Sequence, residues 1–87
     1  MKGLLLESFL RAFDHLGVPT PVVADEHPTE TYIMVKWETE LLPEDLVDAI
    51  SQAWPMVNHD FNKSLNGFEI TRVLINEGTV LITFEVN

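Results

Sequence analysis

The chain contains no cysteine, so a disulfide framework, a thiolate metal site and a catalytic thiol are all excluded. Basic residues are scarce: five Lys and Arg stand against fourteen Asp and Glu, for a net charge of −9. That shortage argues against direct nucleic-acid binding, because a phosphate backbone rewards clusters of Lys and Arg. Long apolar runs are missing too. Nothing approaches the roughly 20 residues a membrane span requires, so no membrane association is expected. The opening Met1-Lys2-Gly3-Leu4-Leu5-Leu6 resembles the start of a secretory signal, but Glu7 and Arg11 interrupt it and no small-residue cleavage site follows. It reads instead as a helix of a soluble, cytoplasmic protein. No GxSxG, P-loop, HExxH or GxGxxG spacing occurs, so the expectation is a non-enzyme with no cofactor and no metal. With 87 residues, 1–87 is expected to be a single acidic domain that needs most of its apolar side chains for stability.

What is present is periodic. The strongest strand signal is Thr79 to Val86: Val80, Ile82, Phe84 and Val86 alternate with Thr79, Leu81, Thr83 and Glu85. A strand this apolar on both sides would invite aggregation at a sheet edge, which places it centrally. Earlier in the chain, Leu5, Leu6, Phe9, Leu10, Phe13 and Leu16 recur at helical spacing, and Gly17 with Pro19 marks the stop. Val18 to Glu30, with three prolines and Asp25-Glu26-His27, reads as an extended connection in which Val22 and Val23 tuck inward.

Thr31 to Glu38 reads as the first strand, with Ile33, Val35 and Trp37 inward. A second helix starts at Pro43 and keeps phase through Leu46, Ile50, Ala53, Val57, Phe61 and Leu65 to a stop at Asn66-Gly67. Pro55 predicts a kink, or two short helices, with Trp54 covering the joint. In the second strand, Phe68 to Ile75, a bulge near Arg72 would bring Phe68, Ile70, Val73 and Ile75 to one face. A turn at Asn76-Glu77-Gly78 then leads into the third strand. The expected fold is an α+β two-layer sandwich in the order α-β-α-β-β. Its three-stranded antiparallel sheet has spatial order 1-3-2, with two helices on one face.

Two surfaces are candidates for binding. Between Asp25 and Asp48 lie Asp25, Glu26, Glu30, Glu38, Glu40, Glu44, Asp45 and Asp48, against the single base Lys36. Carboxylates within the screening length of about 8 Å at physiological salt act together on an approaching cation. Glu38, Glu40, Glu44, Asp45 and Asp48 are therefore the expected acidic contact surface for a basic protein partner. The plainer reading is a solvated face with carboxylates at a helix start. On the uncovered sheet face, Tyr32, Met34, Lys36 and Leu81 would form a partly apolar patch suited to a partner or to a homodimer. Two further clusters, Asp25-Glu26-His27 and His59-Asp60, contain metal-ligating residue types, but sequence neighbours rarely converge on one ion. His15 suits the negative end of the first helix.

The composition and charge together lead to an expected non-enzymatic module that inhibits or modulates a basic partner protein, a nucleic-acid-handling one being one option, as inhibitors, immunity proteins and nucleic-acid mimics do. The alternative is a structural or assembly subunit that self-associates through the open sheet face.

Overall fold

A computed structural model describes residues 3–27 and 31–87. Its elements are α1 (Leu4–His15), β1 (Val23–Glu26), β2 (Tyr32–Glu38), α2 (Pro43–Asp60), β3 (Phe68–Asn76) and β4 (Thr79–Val86). The fold is α+β, with two helices and an antiparallel sheet.

The apolar stripe of α1 buries Leu5, Leu6, Phe9 and Phe13, together with Ala12 and Ser8 between them. Its stop is a Schellman arrangement: Gly17 sits at φ 76°, the Gly17 amide donates to the Asp14 carbonyl, and the Val18 amide donates to the Phe13 carbonyl. At the other end Gly3 offers no side-chain cap. Its place is taken from across the fold, where the Glu26 Oε1 accepts the Leu6 amide at 2.7 Å. That contact needs glycine nearby, since a Cβ on Gly3 would lie 2.7 Å from the Glu26 Cδ.

The sheet differs from expectation. Among the described residues it has four strands in the order β1-β2-β4-β3, not three. The strands expected from the sequence keep their relative order, and β4 is central. The addition is β1, a four-residue strand inside the segment that reads as a connection, antiparallel to β2. Pairing with β2 outweighs its weak local preference. Val22 and Val23 do not tuck inward: they are 51% and 38% exposed. The expected neighbours Pro28 and Glu30 lie outside the described residues.

The bulge near Arg72 is present. Ile70 pairs with Phe84 and Arg72 with Thr83, leaving Thr71 as the extra residue. Its hydroxyl donates to the Thr83 carbonyl at 3.1 Å. The shift aligns Val73 with Ile82 and Ile75 with Val80 on the helix side of the sheet. Being on that side does not bury them, however, and Ile75 remains 68% exposed.

Of the two expectations at Pro55, a break into two short helices is not found: α2 continues through the proline as one helix. Pro55 lies on the exposed side together with Ser51, so water can satisfy the Ser51 carbonyl that loses its amide partner. The helix also stops sooner than expected, at Asp60 rather than Asn66-Gly67. Asn62 and Lys63 take φ of 55° and 59°, and their amides donate to the His59 and Asn58 carbonyls, closing a second Schellman-type end. Phe61 and Leu65 therefore pack from the following loop, where they are only partly buried.

Between the layers, Phe9 contacts Phe84 at 4.9 Å and Phe13 contacts Trp37 at 5.6 Å, both edge to face. Ile82 and Phe84 are fully buried, whereas Trp54 is only partly so. Trp54 bridges Phe9 and Phe68. The buried Trp37 indole donates to the Pro19 carbonyl at 2.8 Å, which anchors the chain leaving α1.

Candidate functional site

The five carboxylates Glu38, Glu40, Glu44, Asp45 and Asp48 are all exposed. Glu38 ends β2 opposite Thr79. The next residue ties this point to the turn between β3 and β4, because the Thr39 amide donates to the Gly78 carbonyl at 2.9 Å. Glu40 follows, and the Thr39 hydroxyl oxygen accepts the Leu41 amide at 3.1 Å, bending the chain toward α2. Glu44 and Asp45 occupy the first turn of that helix. There the positive end of the dipole favours each by about 0.3–1 kcal/mol, so they have a structural role whatever else they do.

Glu77, in the turn joined to Thr39, brings a sixth carboxylate to this end. Sequence grouping misses it because it lies far along the chain. The exposed Leu41 and Leu42, 43% and 55% accessible, stand among these acids. Two adjacent leucines ahead of a helix-starting proline are the signal that could have marked them.

Two members of the expected acidic run are placed elsewhere. Asp25 pairs with Met34 on the open face, whereas Glu26 pairs with Ile33 on the helix side and reaches the start of α1. Successive strand residues point to opposite faces, so Asp25 and Glu26 do not converge on one ion. Among the described residues, no group of three or more His, Asp or Glu is arranged to hold a metal.

The register does bring Tyr32, Met34, Lys36 and Leu81 onto the uncovered face. One cross-strand row reads Val23, Lys36, Leu81, Leu74, and the next reads Asp25, Met34, Thr83, Arg72. All four expected residues are half-buried by their neighbours. Charges interrupt the apolar area, and Glu69 lies directly opposite Glu85 in it.

No family model, curated protein or solved structure matches this chain. Its surface chemistry is what remains to indicate function.

An open cleft between α1 and α2 is lined by Ser8, Arg11, Ala12, His15, Met56 and Asp60. The buried Ser8 hydroxyl donates to Asp60 Oδ2 at 2.6 Å, and Arg11 approaches the same oxygen at 3.5 Å. The Ser8 hydrogen bond is the main reason the Asp60 carboxyl is held below its ordinary value, with Arg11 adding to it. At about 260 Å³ the cleft is smaller than the roughly 300–1,000 Å³ typical of small-molecule sites. Ser8 directs its hydroxyl at a carboxylate rather than at His15, a geometry that ties α1 to α2. Among the described residues no helix is long and apolar enough to cross a membrane.

Proposed function

We propose that this protein is a non-enzymatic acidic binding module that inhibits or modulates a basic protein partner, as an inhibitor, immunity protein or nucleic-acid mimic would. The observation that carries this reading is the run of exposed carboxylates Glu38, Glu40, Glu44, Asp45 and Asp48, interrupted by the exposed Leu41 and Leu42, with the turn that holds Glu77 joined to it at Thr39. An apolar centre with a charged rim is the usual anatomy of a protein interface, and a negative rim selects a positive partner. A nucleic-acid-handling protein presents such a surface for its own substrate, which makes it the natural class of target. Cytoplasmic residence fits this role.

Capture from native lysate over a salt series tests the proposal. A basic protein that is retained at low salt and released as salt rises is the expected result; retention of neutral or acidic proteins regardless of salt contradicts it. The second reading, self-association through Tyr32, Met34, Lys36 and Leu81, draws on the half-apolar character of the open face. It predicts that Tyr32→Glu with Leu81→Lys converts a dimer into a folded monomer.

A further inference from the structure

The two edges of the sheet are protected unequally. At one, β1 is only four residues long, with Pro21 before it and Pro28 after it in the sequence. At the other, β3 runs for nine residues and carries neither proline nor lysine. The bulge at Thr71 disrupts its first half. The second half, Arg72 to Asn76, stays in regular register and shows three consecutive exposed apolar residues, Val73, Leu74 and Ile75. Natural sheets avoid leaving such an edge open, because its free backbone groups template pairing with another strand.

The hydrogen-bond phase shows which groups are free. Asn76 pairs with Thr79 across the two-residue loop Glu77-Gly78, so this closing pair must be hydrogen-bonded. Alternation then makes Leu74 with Leu81, and Arg72 with Thr83, hydrogen-bonded pairs. Val73 and Ile75 consequently aim their amides and carbonyls away from β4, out of the sheet edge.

We infer that this edge is an interface with a second copy of the chain, β3 pairing antiparallel with β3 about a two-fold axis at Leu74. In that register Val73 forms hydrogen-bonded pairs with Ile75 of the second copy, and Ile75 with Val73. Leu74 meets its own counterpart at a non-hydrogen-bonded position on the open face. Every exposed apolar residue of the strand gains an apolar partner. Arg72 comes opposite Asn76 of the second copy, beside the turn carrying Glu77, and the symmetric contact repeats it. Self-complementarity of this kind, residue i on j and j on i, is what a two-fold interface requires. The result is a continuous eight-stranded sheet with all four helices on one side.

This interface shares only Glu77 with the proposed acidic contact surface and does not rest on it. The two also respond oppositely to salt. Binding of a basic partner weakens as salt screens attraction, whereas two copies each of net charge −9 repel, so their association strengthens. One short strand pair lies at the low end of specific interfaces, below about 1,200 Å², so a concentration-dependent monomer–dimer equilibrium is expected.

A single introduced cysteine tests the register, since the chain has no other thiol. At a non-hydrogen-bonded antiparallel pair the Cα atoms are about 4.5 Å apart, within disulfide range. Under mild oxidation Leu74→Cys is expected to give a covalent dimer, and Met34→Cys, on the open face away from the edge, is not. Sedimentation equilibrium of the parent should show dimer rising with concentration and with salt. Arg72→Glu, which faces Glu77 with a like charge, should weaken association about tenfold, and adding Glu77→Arg should restore it. A parent that stays monomeric at millimolar concentration in high salt overturns the inference. So does cross-linking by Met34→Cys in place of Leu74→Cys, which would move self-association to the open face.

Discussion

Glu26 is a strand residue that caps a helix it does not belong to, and replacing it measures how far β1 and α1 depend on each other. Glu26→Ala removes a 2.7 Å carboxylate acceptor from the Leu6 amide and a negative charge from the positive end of α1. A hydrogen bond to a charged group contributes about 1.5–3 kcal/mol, but Glu26 is only half-buried and water can replace part of it. The expected loss is therefore about 1–2 kcal/mol, the range seen for N-cap removal. In a domain of this size each kcal/mol moves Tm by roughly 4–8 °C, which thermal circular dichroism resolves easily. Glu26→Gln keeps an acceptor oxygen and should lose about half as much. Gly3→Ala should also destabilise, because its Cβ displaces the Glu26 carboxyl. The double variant should then lose less than the sum of the two, since the displaced cap is already gone. Melting of Glu26→Ala within a degree of the parent, or strict additivity with Gly3→Ala, would refute the cross-fold cap.

Phe84→Ala empties the centre of the aromatic cluster and should cost about 3–5 kcal/mol by chemical denaturation, with a near-parental melt removing β4 from its central role. Pro55→Ala restores a helix amide at an exposed site and should stabilise by about 1–3 kcal/mol; no gain would mean the proline is relieved in some other way. Because the Asp60 carboxyl is held below its ordinary value, its ionised form contributes stability that is fully present above the unfolded value and is lost as pH falls through the lower folded one. Ser8→Ala should therefore flatten the acid limb of the Tm–pH curve below about pH 4, and an unchanged limb would deny Ser8 its part.

Features written locally in the chain were legible. The α1 stripe and its Gly17 stop, the apolar alternation of β4, and the irregular β3 pattern that needed a bulge all follow from residues close in sequence. Features imposed by tertiary structure were not. Val23-Ala24-Asp25-Glu26 carries no clear strand period and becomes β1 only because β2 offers an edge. Glu26 counts as surface acid until α1 is placed above it. Phe61 and Leu65 continue the helical phase although Asn62 and Lys63 have already turned the chain, so apolar spacing alone overruns the end of α2. Of the candidate surfaces, the open-face residues assemble as their alternation implies. The acidic cluster loses Glu26 to helix capping and gains Glu77 through a loop contact that spacing cannot show.

In the proposed function, exposed carboxylates at the start of α2 steer a basic protein onto this end of the fold. Glu40, Glu44, Asp45 and Asp48 changed together to their amides remove four negative charges at nearly constant size. Folding should survive with some loss of helix N-terminal stabilisation. Stopped-flow association of the captured partner with parent and amide variant, at two salt concentrations, is the decisive measurement. Slower association of the variant and a flatter dependence on salt are expected, whereas an unchanged rate and an unchanged salt slope would contradict steering by these carboxylates.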